Sequence, residues 1–135
     1  LGGYFYDEKT NTFPVFINYD KAPDISESIQ YEDRFVSPSK LIAISKGNRT
    51  LNSPEIQRLQ TWPSNGLKTY LFIRKNKDDK GGKEFYFLGE MHPSGEFKAI
   101  KTKSGDNAVE IEYELNTPVR QDIYEFMLSD LSEAE

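Results

Sequence analysis

The sequence predicts an α+β domain: a small, strongly bent antiparallel sheet or barrel with short flanking helices and a closing C-terminal helix. Three observations carry that expectation. Apolar and polar residues alternate over most of the chain, which is the period of a strand. Three Ser/Thr-Pro pairs, Ser37-Pro38, Ser53-Pro54 and Thr117-Pro118, have the form of helix starts, because the residue before proline is held out of the helical region and proline suits the first helical position. Few β-α-β units fit between them, which argues against a doubly wound sheet. The 135 residues, 36% apolar and 13% aromatic, supply one core and one domain over residues 1–135.

Taken in order, Phe13, Val15, Ile17 and Tyr19 share one face of a first strand. A helix is expected from Pro38 to about Lys46, stopping at Gly47, and a second from Pro54 to about Thr61, with Glu55 in its first turn and Pro63 ending it. Thr69–Arg74 and Glu84–Glu90 read as a hairpin across the loop Lys77–Lys83. Val109, Ile111, Tyr113 and Leu115 line one face of a later strand, and Glu110, Glu112 and Glu114 form its solvated side. A third helix runs from Pro118 to about Leu131 with Val119, Ile123, Met127 and Leu131 as its core stripe.

Net charge is −5, but its distribution is uneven. Residues 1–33 carry −5, residues 34–103 carry +8, and residues 104–135 carry −8. The central block gives one surface the means to attract phosphates, unless the charges intermingle on folding. The absence of cysteine excludes disulfides, thiolate nucleophiles and cysteine-ligated metals and fits a cytoplasmic location. No apolar run approaches the roughly 20 residues of a membrane span, so no membrane partner is expected. Starting at Leu1 rather than Met, the chain reads as an excised fragment.

Catalytic patterns are sparse. His92 is the single histidine and is expected in a solvent or loop role before Pro93. Pro23-Asp24 with Glu96-Phe97-Lys98 resembles the carboxylate and lysine pattern of Mg²⁺ nucleases, at an over-long spacing and just after a Pro93-Ser94-Gly95 turn. Neither a metal nor a cofactor is expected.

The most informative stretch is Ile29 to Ser37. Strand alternation places Tyr31, Asp33 and Phe35 on one face. An acid between two aromatics is costly to bury without partners. In one reading the rings stack on a nucleobase and the carboxylate accepts from a cytosine amino group. In the other, Asp33 caps the following turn or pairs with a lysine while the rings pack. Arg34, Lys40, Lys46 and Arg49 follow, and helix starts at Ser37 and Ser53 would add backbone donors for phosphate.

Five runs occur in order: Gly2-Gly3-Tyr4-Phe5-Tyr6-Asp7, Tyr31-Glu32-Asp33-Arg34-Phe35-Val36-Ser37-Pro38-Ser39, Arg49-Thr50-Leu51-Asn52-Ser53-Pro54-Glu55, Phe85-Tyr86-Phe87-Leu88-Gly89-Glu90 and Leu115-Asn116-Thr117-Pro118-Val119. With them the chain resembles the domain-of-unknown-function family at the C-terminus of bacterial helicase proteins, several of which also carry a phospholipase-D-type nuclease. The nearest in kind are the SauUSI-like, ATP-dependent type IV restriction enzymes. The resemblance implies a non-catalytic target-recognition domain of PUA/SRA-like fold that flips a modified cytosine out of duplex DNA. Its partners would be double-stranded DNA carrying 5-methyl- or 5-hydroxymethylcytosine and the helicase and nuclease domains of the same polypeptide. No SRA signature matches position by position, so pocket residues rest on the physical argument. Tyr31 and Phe35 would stack on the base, Asp33 would read its amino edge, and Trp62 or Tyr86 would add aromatic wall. Arg34, Lys40, Lys46 and Arg49 would hold phosphates. Two alternatives stand beside this: a protein-interaction or dimerisation module of a helicase, and a metal-dependent nuclease.

Overall fold

The computed structural model describes residues 3–19, 33–75 and 85–128. Tyr31, Pro23-Asp24, the loop Lys77–Lys83 and Leu131 lie outside them. The strands are β1 (Gly3–Tyr4), β2 (Thr12–Tyr19), β3 (Arg34–Ser37), β4 (Lys40–Ile44), β5 (Lys68–Lys75), β6 (Tyr86–Lys101) and β7 (Asn107–Leu115). The helices are α1 (Pro54–Gln60), α2 (Trp62–Asn65) and α3 (Gln121–Leu128). The strands form one sheet in the order β1-β2-β5-β6-β7-β4-β3.

All neighbours pair antiparallel except β2 and β5, which run parallel from Thr12↔Lys68 to Tyr19↔Lys75. The sheet is therefore mixed rather than wholly antiparallel. The long connection between β2 and β5 contains α1 and α2, which is what a parallel pair requires. Alternation sets the buried face: Phe13, Val15 and Ile17 from β2, Leu71 and Ile73 from β5, and Val109, Ile111, Tyr113 and Leu115 from β7 are all buried. Ile56 and Leu59 of α1 and Met127 of α3 complete that core.

Where a helix was expected from Pro38, the structure has a hairpin. Pro38 and Ser39 make its turn, and Ser37 pairs with Lys40. Leu41 and Ala43 are buried while Ile42 and Ile44 are half-exposed, so the period is two; β-branched residues on alternate positions favour the strand. The Ser53-Pro54 start holds, with Pro54 in the first turn of α1. Ser53 makes no side-chain cap; its Oγ accepts from the Thr50 amide instead at 2.9 Å. Helix α3 begins at Gln121 rather than Pro118, and the Val119 amide donates to the Pro38 carbonyl at 2.9 Å. Val119, Ile123 and Met127 still face the core.

Pro93-Ser94-Gly95 is no turn. It lies inside β6 at a register shift between Pro93 and Phe97, where Gly95 takes φ +109° in a bulge. His92 is correspondingly on a strand rather than in a loop. Its ring stacks on Trp62 at 5.2 Å, with Nδ1 2.8 Å from Asn116 Oδ1 and Nε2 3.3 Å from Glu114 Oε1.

Candidate functional site

A cavity of about 370 Å³ opens where the two ends of the sheet approach each other. From one end come Gly3 and Tyr4 of β1 and Phe13, Val15, Phe16 and Asn18 of β2. Asp33, Ala43, Ile44, Ser45 and Lys46 around β4 face them from the other, and Ile111 and Tyr113 of β7 lie between. The sheet curls enough to bring β1 to the residues after β4, since the Lys46 amide donates to the Tyr4 hydroxyl at 2.9 Å. This is a barrel left open along one seam, and the cavity occupies the seam.

Its walls are chiefly aromatic and aliphatic, with a few fixed polar groups. The Tyr4 ring stacks on Phe13 at 5.1 Å between centroids. The Tyr4 hydroxyl donates to Glu55 Oε2, and Glu55 Oε1 accepts from Arg49 Nε at 2.9 Å. Burial first, and then the Glu55 bond, push the Tyr4 phenol well above its ordinary value near 10. Tyr113 is pushed upward in the same way by complete burial, with the nearby Tyr4 and Asp33 charges adding to it. Both phenols are therefore neutral hydrogen-bonding groups at neutral pH.

Asp33 stands at the start of β3, and its Oδ1 accepts from the Ile44 amide at 2.8 Å. Asn18 Oδ1 accepts from Arg74 Nε at 2.9 Å. Ser45 extends the β4–β7 pairing: its amide donates to the Val109 carbonyl at 2.8 Å and its Oγ accepts from the Val109 amide at 2.9 Å. Lys46 follows, exposed, with Nζ 4.8 Å above the Tyr4 ring.

The structure separates several residues that local alternation grouped. Asp33 lines the cavity, while Phe35 is buried in the core with its ring edge-on to Tyr124 at 5.6 Å. Trp62 sits on α2 against His92, and Tyr86 is exposed on β6 with Phe126 edge-on at 6.3 Å. Neither lines the cavity. Of the basic residues, Lys46 lines it and Arg49 is one carboxylate away. Arg34 and Lys40 occupy the opposite face of the sheet, where strand alternation puts even-numbered positions, and pair with Glu110 at 3.1 Å and Glu112 at 3.5 Å. The glutamate row of β7 is thus an ion-paired face rather than a merely solvated one. Glu96 and Lys98 border a smaller hollow of about 150 Å³ on β6 with Glu110 and Glu112. Among the described residues no group of three His, Asp or Glu is placed to hold a metal ion.

Tyr4, Phe16, Asn18 and Tyr113 were not among the residues sequence reasoning selected for the pocket. Tyr4 carried a signal only within the Gly2-Gly3-Tyr4 run, and Tyr113 only as one inward residue of its strand.

The model of a family described as a domain of unknown function, DUF3427, matches residues 1–127. The chain belongs to that family. No curated protein matches the DUF3427 chain in sequence. Among solved structures, it is similar to the SUVH5 SRA domain in complex with hemimethylated CG DNA, with TM-score 0.55, 10% identity, and coverage of 88% of this chain and 75% of that one. It is also similar to KRYPTONITE in complex with mCHH DNA, an H3(1–15) peptide and SAH (TM-score 0.54, 11% identity, 90% of this chain and 29% of that one). A third likeness is to Arabidopsis thaliana SUVH6 in complex with SAM, with TM-score 0.53, 13% identity and coverage of 90% of this chain. The chain spans only 22% of that SUVH6 chain. These likenesses establish an SRA-like α+β fold for the DUF3427 domain.

Proposed function

We propose that the domain binds duplex DNA containing 5-methyl- or 5-hydroxymethylcytosine, receiving the modified base, flipped from the duplex, in the cavity beside Asp33. The observation that carries this reading is the seam cavity itself: about 370 Å³, walled by the rings of Tyr4, Phe13 and Tyr113, with a carboxylate fixed in its rim. Its size falls at the small end of ligand pockets, which suits one planar base. Aromatic walls take the ring and its methyl group, and a carboxylate accepts from the exocyclic amine that distinguishes cytosine. Lys46 and Arg49 lie next to the cavity and would meet backbone phosphates, while Arg34 and Lys40, paired with Glu110 and Glu112, are on the other face. Flipping costs a few kcal/mol, so stacking, the amino contact and the phosphates must together offset it. The likeness to the SUVH5 SRA domain crystallised with hemimethylated CG DNA, and to KRYPTONITE crystallised with mCHH DNA, supports the reading. In this role the domain performs no chemistry; it directs the helicase and nuclease domains of a type IV restriction enzyme to modified sites in the cytoplasm.

The test is a titration of duplexes that differ only in one cytosine. A buried methyl is worth about 0.8 kcal/mol by transfer, and a shaped pocket discriminates a methylene by roughly 1–3 kcal/mol. Methylated duplex should therefore bind about tens-fold more tightly than unmodified duplex. Equal affinity removes the reading.

A second reading, a docking module for another part of the polypeptide, has one observation of its own. On the outer face of β2, β5 and β6, Phe16 stacks on Phe72 at 4.7 Å and Phe87 packs tilted against Phe72 at 5.0 Å, with Phe5 flanking Phe16. Phe5 and Phe87 are 54% and 59% exposed. Large exposed aromatic patches mark interaction surfaces. Phe87→Ser should then weaken association with the remaining polypeptide while leaving DNA affinity unchanged.

A further inference from the structure

Tyr4 belongs to a two-residue strand at the very edge of the sheet. So short a strand contributes few backbone bonds, and its neighbour Gly3 has φ +127°, a conformation open mainly to glycine. The Tyr4 ring is therefore not fixed by its own backbone. Beyond the ring's stacking on Phe13, its hydroxyl supplies a directional constraint, accepting from the Lys46 amide at 2.9 Å and donating to Glu55, 51 residues away on α1. Glu55 uses its other oxygen on Arg49 Nε at 2.9 Å, and Arg49 Nη1 donates to the Gly47 carbonyl at 2.9 Å. The loop carrying Arg49 is itself hung on β7, since the amides of Asn48 and Arg49 donate to the Asn107 carbonyl at 2.7 and 3.3 Å.

We propose that Glu55 is a positioning residue of this site, one carboxylate that fixes the Tyr4 cavity wall with one oxygen and the Arg49 guanidinium with the other, so that contact with the base and contact with the phosphate are coupled. This rests on the functional reading above. The coupling follows from geometry. A phosphate that draws on Arg49 redistributes the hydrogen bonding of Glu55, and the other end of that carboxylate is the group orienting Tyr4. Arg49 keeps further guanidinium N–H donors beyond the two in these bonds, so a phosphate can engage it while the Glu55 bond shifts but persists. An acid in the first turn of α1 also favours the helix dipole. That effect changes stability alone and leaves base preference where it is.

The experiment uses the full chain and two 5′-labelled duplexes, one with a single 5-methylcytosine and one unmodified, titrated at a temperature well below each protein's melt. Wild type, Glu55→Ala and Glu55→Gln are compared, and then Tyr4→Phe and Arg49→Ala, singly and together, in the wild-type and Glu55→Ala backgrounds. Removing a charge-assisted partner should cut the preference for methylated duplex roughly tenfold in Glu55→Ala. Glu55→Gln retains the volume and one acceptor and should fall between. The Tyr4→Phe and Arg49→Ala effects on methylated-duplex affinity should be non-additive in wild type and additive once Glu55 is gone. Folded Glu55→Ala or, if that variant does not fold, Glu55→Gln with undiminished preference overturns the proposal, and so does additivity in wild type. A wild type with no preference for methylated duplex is a distinct outcome, which overturns the functional reading and this inference together.

Discussion

Asp33 and Ile44 are joined by one hydrogen bond of 2.8 Å, the Ile44 amide donating to Asp33 Oδ1. That bond ties the segment entering β3 to the end of β4 and holds a carboxylate at the rim of the cavity. A carboxylate offers several lone-pair sites, so a backbone anchor and a ligand contact are compatible in one side chain. Among the described residues that line the cavity, Asp33 is the one acid.

Phe35 sits two residues from Asp33 but serves the core. Phe35→Ala should lower stability by about 3–5 kcal/mol, since it removes a buried ring and its contact with Tyr124. Denaturant melts measure that loss. At a temperature where the variant stays folded, its preference for methylated duplex should equal that of wild type; a lost preference would return Phe35 to the pocket.

The basic residues divide by sheet face, and salt dependence reads the division. Lys46→Ala and Arg49→Ala should each make the slope of log K against log salt shallower by about 0.9, the value of one neutralised phosphate. Arg34→Ala and Lys40→Ala, which remove the pairs with Glu110 and Glu112, should leave the slope unchanged. A loss of slope in the second pair would move the DNA to the opposite face of the sheet.

Alkaline stability follows from two phenols, the half-buried Tyr4 and the buried Tyr113. Tyr4 and Tyr113 are raised above their ordinary value near 10, by burial in both cases. Below that value both states keep the proton and stability is fully present. Above it the unfolded chain ionises first, the folded state binds more protons, and stability falls as pH rises toward the folded values, by at most about 1.4 kcal/mol per pH unit for each group. Melts from about pH 8 to about pH 11 should show the decline setting in near pH 10, and Tyr113→Phe should flatten it.

Alternation made the inward faces of β2 and β7 legible, because each is a single strand whose period of two survives any tertiary context. It also singled out Asp33 as an acid on an inward face. Pro38 misled for a local reason: the Ser-Pro pair that opens a helix at Ser53 equally suits the turn of a hairpin, and only the β-branched Ile42 and Ile44 that follow favour the strand. The rest of the site was invisible for a reason of topology. Tyr4 and Lys46 meet because β1 and the end of β4 face each other across the open seam, a closure that depends on the order of all seven strands. No window of the sequence contains both sides of that seam.

The central claim is that Asp33 reads the amino edge of a flipped modified cytosine, and one pair of titrations tests it most directly. Asp33→Asn keeps the size of the side chain and replaces one acceptor oxygen with a donor that opposes the cytosine amine. Affinity for methylated duplex should fall by about 1–3 kcal/mol, as for a mismatched base-edge contact. Affinity for unmodified duplex, made mostly through phosphates, should change little, and a thermal melt shows that the variant is folded. A folded Asp33→Asn that is less stable yet keeps the full preference for methylated duplex would contradict the account: Asp33 would then be a structural anchor, and the base would be read elsewhere.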